Sequence, residues 1–298
     1  MTEPSVRIVE VGPRDGLQNE AVAVSPEARI LFVEKLVAAG LKTIEVGSFV
    51  SPKWVPQMAG TDIVLRGLAD REGIHFPVLV PNEKGLEAAM HAGAKEIAIF
   101  ASASEAFSQK NINCSIAESI DRFRPVTERA LAAGIRVRGY ISCVLGCPYQ
   151  GEVSMEDVVK VASALEAVGC YELSLGDTIG TGTPRKAKEL IRAVASVVPV
   201  DRIAAHFHDT YGQALANLYA AMEEGISVID AAAGGLGGCP YAKGASGNIA
   251  TEAVVYMLHG MGIDTGVDIM RLLDAVEFIA GKIGRAPQSN VYNAMRGD

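Results

Sequence analysis

A TIM-type (β/α)8 barrel, an α/β fold with a helical C-terminal appendage, is what this sequence predicts. Three observations carry that prediction. Of the 298 residues, 49% are hydrophobic but only 6% aromatic. The apolar mass is therefore mostly Ala, Val, Ile and Leu, which suits parallel strands covered by helices. One cadence recurs along the chain: an amphipathic helix ends in small residues, a glycine follows, and a β-branched run begins almost at once. Strand-like runs fall near residues 6–11, 43–47, 75–80, 95–100, 135–141, 171–175, 202–208 and 226–230, with no linker rich in Pro, Ser or charge dividing them. Eight parallel strand–helix units fit a closed barrel.

The first strand runs into Gly12-Pro13-Arg14-Asp15-Gly16, a tight loop. Ser25-Pro26 reads as an N-cap followed by a proline in the first helical turn. That helix closes at Gly40, in L-V-A-A-G-L-K-T-I-E-V. Gly93, Gly134, Gly169 and Gly225 close later helices in the same way. Glycine supplies the left-handed conformation that ends a helix, and a short link returns the chain to a parallel strand. The link from 47 to 75 is long and carries Trp54 and two prolines, so a substrate-side loop is expected there. Ser154-x-x-Asp157 has the form of a capping box, and Thr183-Pro184 marks another helix start. Val158, Val161, Leu165 and Val168 share one helical face, as do Leu190, Ile191, Val194 and Val197. Residues 261–298 add a helix around 267–283 and an irregular tail. They read as an extension of a single catalytic domain spanning 1–298. A doubly wound open sheet is the alternative, but no G-x-G-x-x-G follows the first strand.

Charge and cysteine content narrow the function. Lys and Arg number 27 against 35 Asp and Glu, a net charge of −8. This argues against a general nucleic-acid binder while leaving room for an anionic small molecule at a local cationic cluster. Charges, glycines or prolines interrupt every apolar stretch before roughly 18 residues, so no membrane span is expected. Met1 to Val11 shows neither a basic leader nor a secretory apolar core. Five cysteines, an odd number in a long chain, suit reduced thiols better than a disulfide framework. A cytoplasmic location is the expectation.

In such a barrel catalytic groups sit at the C-terminal ends of the strands. His206 and His208, two of only five histidines, end the seventh strand in I-A-A-H-F-H-D. Alternate strand residues share a face, so both imidazoles point the same way, a good chelate for a metal. A hydrogen-bonded rim pair is the plainer alternative. Asp15 follows the first strand. It is either a turn aspartate beside a solvated Arg14 or a third donor, completing a mixed O/N set suited to Mg²⁺, Mn²⁺ or Zn²⁺. After the eighth strand comes G-G-L-G-G-C-P-Y-A-K-G-A-S-G-N, residues 234–248. Its glycines let backbone approach a ligand, and Cys239 within it reads as a reactive thiol more than a packing residue. Asn248 is either a helix N-cap or a ligand. Glu45 ends strand two and Asp177 follows strand six. Two acids at the same barrel end as Arg14 point to a site network.

The segments P-R-D-G-L-Q-N-E, S-F-V-S-P-K-W-V-P-Q-M, R-G-Y-I-S-C-V-L-G-C-P-Y, S-L-G-D-T-I-G, H-F-H-D-T-Y-G and G-L-G-G-C-P-Y-A occur in order from about residue 5 to 260. Together they resemble the 3-hydroxy-3-methylglutaryl-CoA lyase family, in a superfamily that also holds condensing synthases. The resemblance implies cleavage of the acyl-CoA to acetyl-CoA and acetoacetate with Mg²⁺ or Mn²⁺, in leucine degradation and ketone-body formation, by a homo-oligomer, a dimer. It implies Asp15, His206, His208 and Asn248 as metal ligands and Arg14 as the cation near the thioester carbonyl. Cys239 is the implied acid/base residue, and Glu45 and Asp177 are acids around the site. Gln18, Ser48, Tyr140, Ser174 and Thr178 match polar positions lining it, and Asn111 one meeting the CoA arm. The base for the substrate hydroxyl stays open between Asp15, His206 and a metal-bound hydroxide. Two departures stand out. Lys243 takes the place of a neutral residue, and no cysteine lies near the C-terminus to form an intersubunit disulfide. A lyase for a longer branched homologue, a condensing synthase and a non-catalytic metal- or CoA-binding protein are the rival readings.

Overall fold

The computed structural model describes residues 6–68, 71–238 and 247–296. Its strands are β1 (Arg7–Glu10), β2 in two pieces (Thr43–Ile44 and Gly47–Ser48), β3 (Val78–Leu79), β4 (Glu96–Ser102), β5 (Arg136–Ser142), β6 (Glu172–Asp177), β7 (Ile203–Phe207) and β8 (Val228–Ala231). Every pairing is parallel. The first piece of β2 pairs with β1 and the second with β3, while β1 also pairs with β8. Since the two pieces are one run of chain, the sheet closes on itself as a barrel. At the join, Glu45 N donates to Glu10 O at 2.9 Å and Val46 N donates to Pro77 O at 3.1 Å, so the backbone passes from one neighbour to the other without a gap.

Helices α1 (Pro26–Ala38), α2 (Thr61–Leu68), α3 (Glu83–His91), α4 (Glu105–Ile112), α5 (Ile116–Ala132), α6 (Met155–Ala167), α7 (Pro184–Ala195) and α8 (Ala214–Glu223) fill the crossovers. After β8 come α9 (Thr251–Gly260), α10 (Ile269–Ile283) and α11 (Asn290–Arg296). The glycines of the cadence adopt the positive φ their position requires, from +75° at Gly134 to +103° at Gly40. Ser25 and Ser154 accept from the backbone N–H groups of Ala28 and Asp157, as N-caps do.

Some expectations need correction. The link from 47 to 75 is not simply a loop, because it carries α2, whose Val64 and Leu68 are buried. Thr183 precedes α7 without a side-chain capping bond; Pro184 alone marks that start. Val197 lies beyond the end of α7 and is 41% exposed, off the buried face of Leu190, Ile191 and Val194. Asn248 does not cap α9, whose N-cap is Ala250. α10 begins at Ile269 and packs on α1, on α9 and on the turn Ala233–Gly235, with Leu272, Val276 and Ile279 in the main core.

The lumen is unusually charged for a barrel, whose interior is commonly filled by branched apolar side chains. Glu45, Arg138, Glu172 and Asp230 are all buried. They are bonded to one another or to Tyr140 and Ser174, forming a polar floor beneath the strand ends.

Candidate active site

The chain leaves β1 at Val11 and makes one wide helical turn over Gly12–Gly16. Glu10, which faces away from the lumen, shapes this turn: its carboxylate accepts from Gly12 N at 2.7 Å, Ala233 N at 3.0 Å and Thr251 Oγ1 at 2.6 Å. The turn carries Arg14 and Asp15 over the barrel mouth. Arg14 donates through Nε to Glu45 Oε2 at 2.7 Å and through Nη1 to Asp15 Oδ1 at 2.6 Å. Among the described residues Nη2 has no hydrogen-bond acceptor. Burial works against the Arg14 charge, but Glu45 and then Asp15 outweigh it and raise the guanidinium above its ordinary value. Burial likewise opposes ionisation of Asp15, yet Arg14, His206, His208 and the Asn248 amide hold its carboxyl at about 2.

β7 sets the two histidines. His206 and His208 point to the same side as expected, with ring centroids 5.5 Å apart. One ligand atom each from Asp15, His206 and His208 lie within 4.8 Å of one another. His206 Nε2 faces Asp15 Oδ2 at 3.8 Å. Burial, then His206, pushes the His208 imidazole down to about 4, the neutral form that a cation needs. Its Nδ1, beside the Thr178 backbone, meets no partner at hydrogen-bonding geometry. Asn248 is brought in by a short backbone bridge with His208 and donates Nδ2 to Asp15 Oδ2 at 2.8 Å. A half-turn of that amide would present its oxygen at the same place. Gly237, at φ +122°, gives the Asn248 side chain room, since a Cβ there would meet its amide at 2.8 Å.

Tyr140 stands between the histidines and Arg14. Its ring meets His206 edge-on at 5.9 Å and the Arg14 guanidinium lies 5.2 Å from its centroid. Its hydroxyl donates to Glu45 Oε2 at 3.0 Å. Burial, then Glu45, raises its pKa well above the ordinary value, so it stays a neutral donor. Gln18 Oε1 and Glu45 Oε1 are buried without a partner. Glu45 Oε1, on the carboxylate that Arg14 and Tyr140 hold, is thus an unused acceptor at the barrel mouth, as a site awaiting a ligand should have. The donor set fits a divalent cation: one carboxylate, two imidazoles and an adjacent amide, all converging and mostly buried.

Other predicted residues lie around this cluster or away from it. Asp177 turns into its own loop, accepting from Gly182 N at 2.8 Å and Thr181 N at 3.2 Å, and burial raises its carboxyl to about 6. Ser48 Oγ accepts from Val50 N, and Thr178 Oγ1 from Cys143 N. Asn111 is exposed on α4. Ser174 is fully buried and donates to Asp230 Oδ2 at 2.7 Å. Cys239 and Lys243 lie outside the described residues. The four described cysteines, Cys114, Cys143, Cys147 and Cys170, are buried and free. Sequence reasoning missed Arg138 and Asp230. The signal was there: Arg138 stands two residues before Tyr140 on the same face of β5, and Asp230 is the one charge in β8.

The chain is similar to known proteins over nearly its whole length. The HMGL-like family model matches residues 5–279. The 3-hydroxy-3-isohexenylglutaryl-CoA/hydroxy-methylglutaryl-CoA lyase of Pseudomonas aeruginosa is 58% identical over 290 residues, 97% of each chain. A crystal structure of hydroxymethylglutaryl-CoA lyase from that organism superposes with a TM-score of 0.96, covering 99% of both chains at 58% identity. An HMG-CoA lyase from A. baumannii, solved with coenzyme A and 3-methylmalate, superposes at 0.95 over 99% of this chain and 97% of its own, at 34% identity. This barrel, with its carboxylate, imidazoles and arginine gathered at one mouth, belongs to the HMGL-like family.

Proposed function

We propose that the chain is a hydroxymethylglutaryl-CoA lyase, cleaving (S)-3-hydroxy-3-methylglutaryl-CoA to acetyl-CoA and acetoacetate. One observation carries this reading: Arg14 and Asp15, adjacent on one turn, place an oxyanion donor directly beside a convergent cation-binding set.

The reaction is a retro-Claisen cleavage. The tertiary hydroxyl gives its proton to a base at the cation site, the C2–C3 bond breaks, and its electrons pass to the thioester as an enolate. Asp15, His206, His208 and Asn248 would hold the cation, Mg²⁺ or Mn²⁺, which would offset charge on the hydroxyl oxygen and the substrate carboxylate. Arg14, held rigid through Nε and Nη1, has Nη2 available for the thioester oxygen. One such donor is worth about 3–4 kcal/mol of barrier. Tyr140 and Glu45 keep that guanidinium in place. Cys239 delivers the proton to the nascent carbanion, with general acid help worth roughly 10²–10⁴-fold. Asp15 is a poor base at a pKa of about 2 when no cation is bound.

The same reading expects one catalytic domain over 1–298, a homodimer and a cytoplasmic setting. No described helix is long and apolar enough to cross a membrane. The deciding experiment is incubation with hydroxymethylglutaryl-CoA and Mg²⁺, with and without chelator, scoring acetoacetate. Metal-dependent acetoacetate is expected; none under any metal tried would refute the reading.

A further inference from the structure

Asp230 has no part in the chemistry above, yet it touches one of the candidate ligands. Its carboxylate is buried in the lumen. Oδ2 accepts from Ser174 Oγ at 2.7 Å and Arg138 Nη1 at 2.9 Å, and Oδ1 accepts from Arg138 Nη2 at 2.7 Å. His206 Nδ1 completes the set, 3.1 Å from Oδ2. A carboxylate surrounded in this way only accepts. It therefore calls for an imidazole proton on Nδ1, which makes Nε2 the nitrogen left to face a cation. Nε2 is the nitrogen facing Asp15. An imidazole ligand is oriented by the partner of its other nitrogen.

Arg138 carries the constraint further. It donates to Glu172 Oε1 at 2.7 Å and to the Tyr140 hydroxyl at 2.9 Å. Tyr140 donates to Glu45, Arg14 donates to Glu45, and Arg14 also grips Asp15. The contacts leaving His206 through Nδ1 thus return to Asp15, opposite Nε2. Two candidate ligands from different elements, the turn after β1 and strand β7, are joined through a closed polar circuit.

We propose that Asp230 is the positioning residue of His206, fixing its Nδ1–H tautomer, and that the circuit through Arg138, Tyr140 and Glu45 sets His206 against Asp15 before a cation arrives. This rests on reading Asp15, His206 and His208 as a divalent-cation site. An ion pair serving only the fold would need Arg138 and Asp230 but not an imidazole converging on the same oxygen.

The test uses the full chain stripped of metal. Imidazole ¹⁵N NMR should show His206 Nδ1 carrying a proton; a bare Nδ1 overturns the proposal without any variant. Mn²⁺ titration followed by the EPR signal of the free ion should show Asp230→Asn binding roughly 10–100-fold more weakly. Ser174→Ala, which keeps the carboxylate, should lose less. Asp15→Asn is the reference. If it weakens Mn²⁺ binding and Asp230→Asn does not, the positioning role alone falls. If neither variant changes binding, the cation site falls and the proposal with it. Should Asp230→Asn fail to fold, the tautomer decides.

Discussion

Arg14 does three things that a point charge could not. It braces Glu45 through Nε, holds Asp15 through Nη1, and keeps Nη2 for a substrate oxygen. A lysine has one flexible head for all three tasks. Arg14→Lys is therefore expected to lower kcat by about 10²–10³-fold, the cost of one oxyanion donor, while Mn²⁺ binding persists. Steady-state rates beside a metal titration check this; equal losses in both would assign Arg14 to the cation site alone. Cys239→Ser is expected to fold, to bind metal and to lose roughly 10²–10⁴-fold in turnover. Near-parental kcat would remove the thiol from the scheme. At this scale residue type and strand-end position were legible: they brought Asp15, His206, His208, Arg14 and Glu45 to one mouth. Direction was not legible for residues beyond the strand ends. Glu45 lies at the break in β2 and Asp177 is the last residue of β6, but the loop after Asp177 turns back and supplies its carboxylate with backbone donors.

The Gly12–Gly16 turn shows how an element does what no single residue can. Its path is set from behind by Glu10, which ties Gly12 to Ala233, the root of the glycine-rich segment, and to Thr251 near the start of α9. A Cβ on Gly12 would lie 2.5 Å from Glu10 Oε1. Gly12→Ala is thus expected to push that carboxylate off its donors, costing about 1–3 kcal/mol and weakening Mn²⁺ binding without altering any ligand. Chemical denaturation and metal titration of the variant check both. A parental metal affinity would show that the turn is positioned by something other than Glu10. Periodicity made most elements legible, since a buried helix face and a glycine closure are local signals. α2 was missed because it has only eight residues and follows a proline-containing stretch. The break in β2 was illegible for a different reason. Val46 O accepts from Arg29 Nη2 at 3.2 Å, and that buried arginine also reaches Ala59 O and Thr61 Oγ1. Only the folded chain brings those acceptors together.

Across the whole molecule, a net charge of −8 sits alongside acids that the fold withdraws from water. Their effects on stability have opposite signs. Asp15 is held down at about 2, so its contribution is present above its ordinary 3.8 and is lost as pH falls towards 2. Glu10 is the reverse. Burial dominates its donors Thr251, Ala233 and Gly12, nearby Glu252 adds to the effect, and its carboxyl rises from 4.5 to about 7. Between those values the folded chain keeps a proton that the unfolded chain has released. Stability from this group is complete below 4.5 and drains away as pH climbs through about 7. A rise of that size corresponds to roughly 3 kcal/mol at most. Gln mimics the protonated acid in shape, so Glu10→Gln should remove the pH dependence and not the fold. In chelator, denaturation midpoints of the parent are expected to fall between about pH 5 and pH 8, and those of Glu10→Gln to fall less steeply. Parallel curves would show that Glu10 is ionised throughout that range, and that its three donors outweigh burial in holding the charge.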